Sequence, residues 1–400
     1  MRGAFFLVFL PIGVLLLAWA LPGSAASWRE QTQIHGFASQ AALRTSANRV
    51  FGDSPATSFA FTELGLNLSL RPRPGLLLAG QALSRRVGEL YDGSPTLDFL
   101  LADLTVRETP KYRFGMRLGR FKNPLGLYNE TRDVPFTRPG IFLPQTIYFE
   151  RVRNLMLAND GALLYGEWFG PAGNVTLNLG GGRAPLDDQV EAAFLTQDFP
   201  GTLNQAGLDW VGTLRYDSAD ERLRLGLSGV RLAMDFAPAA TPATLDAGRV
   251  TTRYWIASAR YDTEHWTLAA EYGRQPVSWR GFGPGLPDRK ASIEGYYLQG
   301  AYRPWPRLEL SLRYEEGYAD RQDRDGRQLA AQFGATVPRS ALFSKILVAG
   351  VRWHLDARWM LRAEYQRHDG TFILSERENP DPTRHRRDWE LFALQLAVRF

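Results

Sequence analysis

Apolar and polar residues alternate along most of the chain after residue 26. In the segment 59–70, Leu64, Leu66 and Leu68 share one face while Glu63 lies on the other. This two-residue period is typical of a half-buried β-strand, because a helix repeats its apolar face every three or four residues. No stretch beyond residue 26 shows a sustained helical period, so the sequence predicts an all-β protein. The same alternation occurs in 112–121, 308–315 and 359–366.

Sixteen segments of this kind can be counted. Most have about ten residues, a length that suits a tilted strand crossing a bilayer. An even number of antiparallel strands is typical of bacterial outer-membrane barrels, and closing the last strand onto the first removes exposed sheet edges. The predicted strands are 33–44, 58–70, 75–85, 97–108, 112–122, 161–169, 174–182, 207–216, 222–235, 250–261, 266–275, 291–303, 307–316, 342–354, 358–367 and 388–400.

The predicted connections alternate between short and long. Outer-membrane barrels have this arrangement, with short turns at the periplasmic end and long loops outside. The sequence therefore predicts a transmembrane antiparallel β-barrel of about 16 strands. Tight turns of turn-forming residues are expected at 71–74, 170–173, 217–220 and 304–306. The longer connections are 45–57, 86–96, 123–160, 183–206, 236–249, 276–290, 317–341 and 368–387.

The N-terminus has the features of a secretion signal. Arg2 precedes an uncharged apolar run over 4–22, and small residues follow at 24–26. A basic start, an apolar run and a small-residue site are typical of a signal peptide. We expect a signal peptide over 1–26 that is cleaved after Ala26, which leaves a barrel of residues 27–400. The length of the apolar run leaves an uncleaved membrane anchor as an alternative.

Composition narrows the classes of protein. The 400-residue chain is 44% hydrophobic and 12% aromatic, which is too apolar for a disordered chain. It has no cysteine, which excludes disulfides, thiolate metal sites and a cysteine nucleophile. A mean hydropathy of −0.26 is too low for a polytopic helical membrane protein.

The C-terminal strand ends the chain at Phe400, with Phe392, Leu394, Leu396 and Val398 on the same face. An alternating last strand with a terminal aromatic residue resembles the sorting strand of bacterial outer-membrane barrels. With sixteen strands and a long third loop, the chain resembles the general diffusion porins of Gram-negative outer membranes. That resemblance implies an outer-membrane location, contact with the lipid bilayer and lipopolysaccharide, and a homotrimer.

In general diffusion porins the third long loop folds into the barrel and forms the constriction. The resemblance therefore implies an inward-folding loop at 123–160, the longest connection. Residues 117–126 are similar to the Gly-x-Phe-Lys-x-Pro-x-Gly stretch of phosphate-selective and related porins. Mixed charges in such a loop set the selectivity of the narrowest point, or else form a solvated outer loop. The candidate pore-lining and constriction residues are Arg113, Arg117, Glu130, Arg132, Asp133, Arg138, Glu150, Arg151 and Arg153.

The basic charge of the chain is almost entirely arginine, and the formal net charge is +5. Arginines that alternation turns inward favour anions, although inward acids on neighbouring strands pair with them. The lysine-rich lumen of phosphate-selective porins is missing, so we expect at most a mild anion preference. Aromatic residues at strand ends predict interfacial girdles. They are Tyr254 and Trp255, Tyr261 and Trp266, Tyr296 and Tyr297, and Trp353 and Trp359.

The sequence contains no metalloprotease, nucleophile-elbow, phosphate-loop or dinucleotide motif. We therefore expect a passive porin for small hydrophilic solutes or ions, with no catalytic residue, metal, cofactor or nucleic-acid partner. A substrate-selective channel for phosphate or oligosaccharides is the alternative. An outer-membrane hydrolase is a third reading, with His368 and Asp369 as its candidate pair.

Overall fold

The computed structural model describes residues 31–195, 199–239 and 245–400. They form one closed antiparallel sheet, in which the first strand bonds to the last. The predicted all-β barrel is confirmed, while the predicted signal peptide lies outside the described residues. The strands are β1 Thr32–Thr45, β2 Ser58–Arg73, β3 Leu76–Val87, β4 Tyr91–Glu108, β5 Tyr112–Lys122, β6 Ala158–Gly170, β7 Gly173–Arg183, β8 Gly201–Gln205, β9 Asp209–Ser218, β10 Leu223–Pro238, β11 Arg249–Asp262, β12 Trp266–Arg280, β13 Arg289–Trp305, β14 Leu308–Tyr318, β15 Phe343–His354, β16 Trp359–Gly370 and β17 Asp388–Arg399.

The ring has sixteen strand positions, and two segments share one of them. β9 lies between β7 and β10, while the five-residue β8 continues beyond β9 along the end of β10. Between β8 and β9, Gly207 has a φ of +95°, which favours glycine and interrupts the strand. The prediction of about 16 strands is confirmed, and β8 is an extension that the alternation did not reveal.

One end of the barrel carries only short connections, and we call it the turn side; the opposite end is the loop side. One predicted long loop on the loop side is wrong. β3 and β4 stay paired as far as Val87 and Tyr91, so only 88–90 connects them and 86–96 is not a loop. Two irregularities in this pairing and Pro95 disturb the two-residue period, which is why the pattern concealed the strand.

The outer surface of the barrel is apolar. Leu64, Leu66 and Leu68 are exposed, whereas Glu63 beside them is buried inside. Phe392 on β17 is likewise exposed on the outside. This distribution confirms the predicted alternation and gives the barrel the apolar outer face of a bilayer-spanning barrel.

Aromatic residues gather on the outer face near the turn side, where the rings of Trp266 and Tyr302 are 4.5 Å apart. Trp353 and Trp359 are exposed at the same level. Two predicted girdle residues are wrong: Tyr254 and Tyr297 are buried inside the barrel. Adjacent residues of a strand face opposite sides, so only one member of each neighbouring pair can face lipid.

Three short helices lie in the connections: α1 (Arg153–Leu157), α2 (Asp188–Leu195) and α3 (Arg327–Phe333). Within the described ranges, no helix has the length and apolar character needed to cross a bilayer.

Candidate functional site

In the segment 123–157 between β5 and β6, two asparagines near the start hydrogen-bond to the backbone near its end. The amide of Asn123 donates to the carbonyl of Leu157 at 2.8 Å, and the Asn129 side chain donates to Met156 O at 2.8 Å. Gly126 follows with a φ of +60°, and a Cβ there would lie 2.3 Å from the Tyr148 hydroxyl. Glycine is therefore required at the last position of the Gly-x-Phe-Lys-x-Pro-x-Gly stretch.

A chain of alternating charges joins this segment to β2 and β3. Arg132 lies 3.2 Å from Glu150, and Glu150 lies 2.9 Å from Arg85 on β3. Arg85 lies 3.0 Å from Glu63 on β2, which also pairs with Arg138 of the segment. We call these five residues the anchor network. Its two carboxylates each lie between two arginines, and its three arginines leave it a formal net charge of +1.

A second anchor lies on β11 and β12. The Tyr148 hydroxyl donates to Glu271 Oε2 at 2.6 Å, and the amide of Leu127 donates to Glu271 Oε1 at 2.8 Å. The hydroxyl of Tyr254 donates to the carbonyl of Ile147 at 2.8 Å. The tip of the segment is therefore fixed to strands far around the ring from β2 and β3.

A third set of contacts reaches β14 and β16. The Thr146 amide donates to Glu315 Oε2 at 3.3 Å, and the Ile141 amide donates to Glu364 Oε2 at 2.7 Å. Both carboxylates are inward-facing and buried. The segment thus hydrogen-bonds to β2, β3, β11, β12, β14 and β16, which lie in different sectors of the closed sheet.

A smaller ionic cluster lies beside β3 and β4. Asp133 accepts from Lys122 Nζ at 2.7 Å, while Arg153 donates to Asp98 at 3.3 Å. Gln81 links the two carboxylates and lies 3.0 Å from that of Asp98. The sequence analysis missed Gln81, Asp98 and Lys122 as site residues. Counting by twos from the inward Asp103 places Asp98 on the outer face, and a register shift between Gln81 and the next residue turns it inward instead.

Two carboxylates of the segment, Glu150 and Asp133, have pKa values below those of ordinary carboxyl groups. Burial raises the pKa of Glu150, but Arg85 and Arg132 outweigh it and lower that pKa to about 2. Burial likewise opposes ionisation of Asp133, yet Lys122 and Arg153 leave its pKa below the ordinary value.

The predicted site residues fall into separate groups. Arg132 and Arg138 are buried in the anchor network, where inward carboxylates neutralise them. Arg113 and Arg117 lie on the inner face of β5 toward the turn side and pair with Glu167 and Asp103 at 2.9 and 3.1 Å.

Two further predicted residues lie at the edges of the segment. Glu130 is 3.5 Å from Arg117, and its side chain is exposed. Arg151 pairs at 3.0 Å with Glu376 of the connection between β16 and β17.

A buried apolar cluster lies in the interior toward the loop side. It combines segment residues with α2 and with inward side chains of β10 to β13. Sequence reasoning missed it because inward positions of a wide barrel are expected to be polar. Its members include Leu125, Ile147 and Met156 of the segment, Val190 and Phe194 of α2, and Leu232, Met234, Val250 and Val277 of the wall.

The candidate hydrolase residues are not brought together. His368 is buried against Trp389, with ring centroids 3.7 Å apart, and its Nε2 lies 2.8 Å from Gln366 Oε1. Asp369 is the next residue along β16 and pairs with Arg387 at 2.6 Å. Within residues 31–195, 199–239 and 245–400, no three carboxylates or imidazoles are grouped as metal ligands.

No family model and no curated protein matches the sequence. The fold is similar to OmpT, an outer membrane protein of Vibrio cholerae solved in a trimer form, with a TM-score of 0.56 and 12% identity over 92% of this chain and 99% of that chain. It is also similar to the outer membrane channel DcaP of Acinetobacter baumannii, with a TM-score of 0.55 and 11% identity over 92% and 97% of the two chains. OmpF of Salmonella typhi in complex with daunomycin gives a TM-score of 0.54 and 15% identity over 92% and 97%. These likenesses confirm the predicted fold of an outer-membrane porin barrel.

Proposed function

We propose that the protein is a passive channel of the Gram-negative outer membrane for small hydrophilic solutes or ions. The closed barrel with its apolar outer face supports this location. A barrel of sixteen strands is too wide for its wall side chains to fill, so its lumen holds water wherever no loop occupies it. Transport needs no catalytic residue and no cofactor, because solutes move down their gradient.

The observation that carries the proposal is the bonding of segment 123–157 to widely separated strands. Such contacts are possible for a loop that lies across the lumen. We infer that loop 123–160 forms the constriction, with Tyr148 and Arg138 fixing it to different sides of the wall. The predicted inward-folding loop thus becomes the narrow part of the proposed channel.

The turn-side half of the lumen is lined by partly exposed ion pairs. Asp217 lies between Arg215 and Arg224 at 2.9 and 2.6 Å, and both arginines are partly exposed. Arg260 pairs in the same way with Asp262 at 2.6 Å. Exposed arginine edges beside compensated acids support at most a mild anion preference.

A substrate-selective channel is the second candidate. The apolar cluster on the loop side favours it, because its side chains occupy interior positions that a general diffusion pore leaves to water. A passage of this kind admits few solutes, and its contacts rather than the barrel decide which ones pass.

Recording single channels of the purified protein in planar bilayers tests the proposal. We expect discrete conductance steps and, in a salt gradient, a small reversal potential of the sign for anion preference. R384Q, which changes an exposed loop arginine, should conduct as the wild type does. Block by one solute at low concentration selects the second candidate, and an absence of conductance steps in both the wild type and R384Q contradicts the channel. Chemical cross-linking in detergent tests the homotrimer that we also propose.

A further inference from the structure

Three arginines lie together on the outer face of β10 to β12, just beyond the aromatic residues toward the loop side. Arg253 and Arg274 each lie two residues from an outward aromatic, Trp255 and Tyr272, whose rings are 5.4 Å apart. Arg231 lies on the neighbouring strand at the same level. We call Arg231, Arg253 and Arg274 the outer arginine triad.

The register of the sheet forces the triad together. Arg231 is directly opposite Arg253 in the β10–β11 pair. Arg274 is opposite Trp255, which makes it the diagonal neighbour of Arg253. Opposite residues on one face have Cβ atoms about 5 Å apart and diagonal ones about 7 Å, and like charges at that spacing destabilise a sheet. The direct Arg231–Arg253 pair is therefore unfavourable unless an anion lies between the two guanidinium groups.

The protein does not supply that anion from its described residues. The side chains of Arg231 and Arg253 have no hydrogen bond or ion pair with residues 31–195, 199–239 and 245–400. Arg274 donates only its Nε, to Ser292 Oγ at 3.0 Å. The nearest carboxylate along β10, that of Asp235, is bound by Arg249 through two hydrogen bonds of 2.5 and 2.8 Å.

On the neighbouring strand β13, an outward-facing carboxylate has its own cationic partners. On β13, Glu294 faces outward directly opposite Arg274, and it accepts a hydrogen bond from the Tyr272 hydroxyl at 2.6 Å. Two arginines of the following loop also bind it, Arg324 at 2.6 Å and Arg321 at 3.3 Å. Glu294 is thus compensated by its own partners, and Arg231 and Arg253 are the arginines of the triad that have, among the described residues, neither a partner nor an acid opposite them.

We propose that the outer arginine triad binds a phosphate group of a lipid headgroup in the outer leaflet. The aromatic residues beside it mark the level where headgroups lie. Guanidinium groups match phosphate oxygens through paired hydrogen bonds, and a phosphate removes the repulsion between Arg231 and Arg253. The proposal rests on the outer-membrane location given above.

The test compares the purified wild type with R231Q/R253Q/R274Q and with R367Q. Arg367 is a matched control, because it is exposed on β16 but lies opposite Glu390. Each protein is titrated in detergent with lipid A and with dephosphorylated lipid A, and bound lipid is counted by native mass spectrometry. We expect roughly a hundredfold weaker binding of lipid A by the triple variant, since each basic residue contributes a factor of about five near anionic lipid. R367Q should bind as the wild type does.

Equal binding of lipid A by the wild type and the triple variant overturns the proposal. So does equal wild-type binding of the dephosphorylated lipid, or displacement of lipid A by an equal concentration of inorganic phosphate. A change of oligomeric state with unchanged lipid binding assigns the triad to contact with a second chain and also overturns it. Circular dichroism shows whether the triple variant is folded, and if it is not, R231Q/R253Q replaces it.

The channel proposal has a separate readout. Wild-type conductance in phosphatidylcholine bilayers without lipid A tests the channel alone. A conducting protein that binds no lipid A contradicts the triad, whereas a lipid-binding protein that never conducts contradicts the channel.

Discussion

The two halves of the interior use the same residue types in opposite ways. On the loop side, Glu63 and Arg138 pair where their side chains are 1% and 4% exposed. On the turn side, Arg215 and Arg224 share Asp217 but remain 36% and 44% exposed. An arginine inside the barrel therefore holds the loop in place on the loop side, where it is buried. On the turn side, where arginines are partly exposed, they line the wall of the lumen.

The energetic difference follows from solvent. Breaking a buried ion pair by removing one partner costs about 3–5 kcal/mol, because the other charge stays buried and unpaired. An exposed pair contributes about 0–1 kcal/mol. The loop-side pairs should therefore control stability and the position of loop 123–160, while the turn-side pairs should affect only which ions enter.

E63Q should have the largest effect, since it leaves Arg85 and Arg138 without their shared carboxylate. We expect the free energy of unfolding to fall by about 3–5 kcal/mol and the conductance to rise as the loop loosens. Urea unfolding followed by tryptophan fluorescence, together with single-channel recording, measures both. D217N is the matched control, because Asp217 also has two arginine partners, and it should cost under about 1 kcal/mol. Equal losses for the two variants would contradict the distinction between the halves.

Acid should release the same anchor through Glu150. Its pKa of about 2 lies below the ordinary value, so its contribution to stability is fully present above that ordinary value and disappears as the pH falls through about 2. Conductance should thus be constant from neutral pH to about pH 5 and rise only near pH 2. E150Q should already have the higher conductance at neutral pH. A wild-type transition near pH 4.5 that E150Q abolishes would count against a buried, paired Glu150.

Y148F should have a smaller effect on the second anchor. The substitution removes the hydroxyl that donates to Glu271 Oε2 at 2.6 Å. The same hydroxyl also accepts a hydrogen bond from the Leu127 amide at 2.8 Å, and that bond is lost as well. We expect a loss of about 1–3 kcal/mol in unfolding free energy. Y314F, which removes an exposed tyrosine hydroxyl bound to Glu316, serves as the control and should cost less. The anchor would be unimportant if both variants unfolded alike.

R215Q/R224Q should change stability least. Both arginines are partly exposed, so we expect under about 1 kcal/mol in unfolding free energy. The reversal potential in a salt gradient should nevertheless shift toward cation preference, because Asp217 loses both counterions. R384Q is the control for removal of a loop arginine, and an unchanged reversal potential would show that the turn-side wall does not select ions.

Much of this contrast could be predicted from alternation, and part could not. The two-residue period placed Glu63, Arg85 and Glu364 inward, as the structure has them. It could not identify partners, because Glu63 and Arg138 are 75 residues apart in sequence. Asp98 was missed where the register shifts.

The apolar cluster was also missed. Residues such as Leu232 and Met234 belong to a strand whose inward face was expected to contact water. Only the packing of the loop and α2 against that strand explains them. The two-residue alternation shows which face of the sheet a side chain is on, but it does not show which other part of the chain packs against that face.

Disulfide trapping tests whether loop 123–160 crosses the lumen. The chain has no cysteine, so an introduced pair has no competitor. A Cβ on Gly317 of β14 would lie 3.2 Å from the Cβ of Thr146, close to disulfide spacing. We predict that T146C/G317C forms a reducible bond in the folded barrel and that T146C/G350C, with its second cysteine on β15, does not. Free thiols in T146C/G317C under oxidising conditions would contradict a loop held across the lumen.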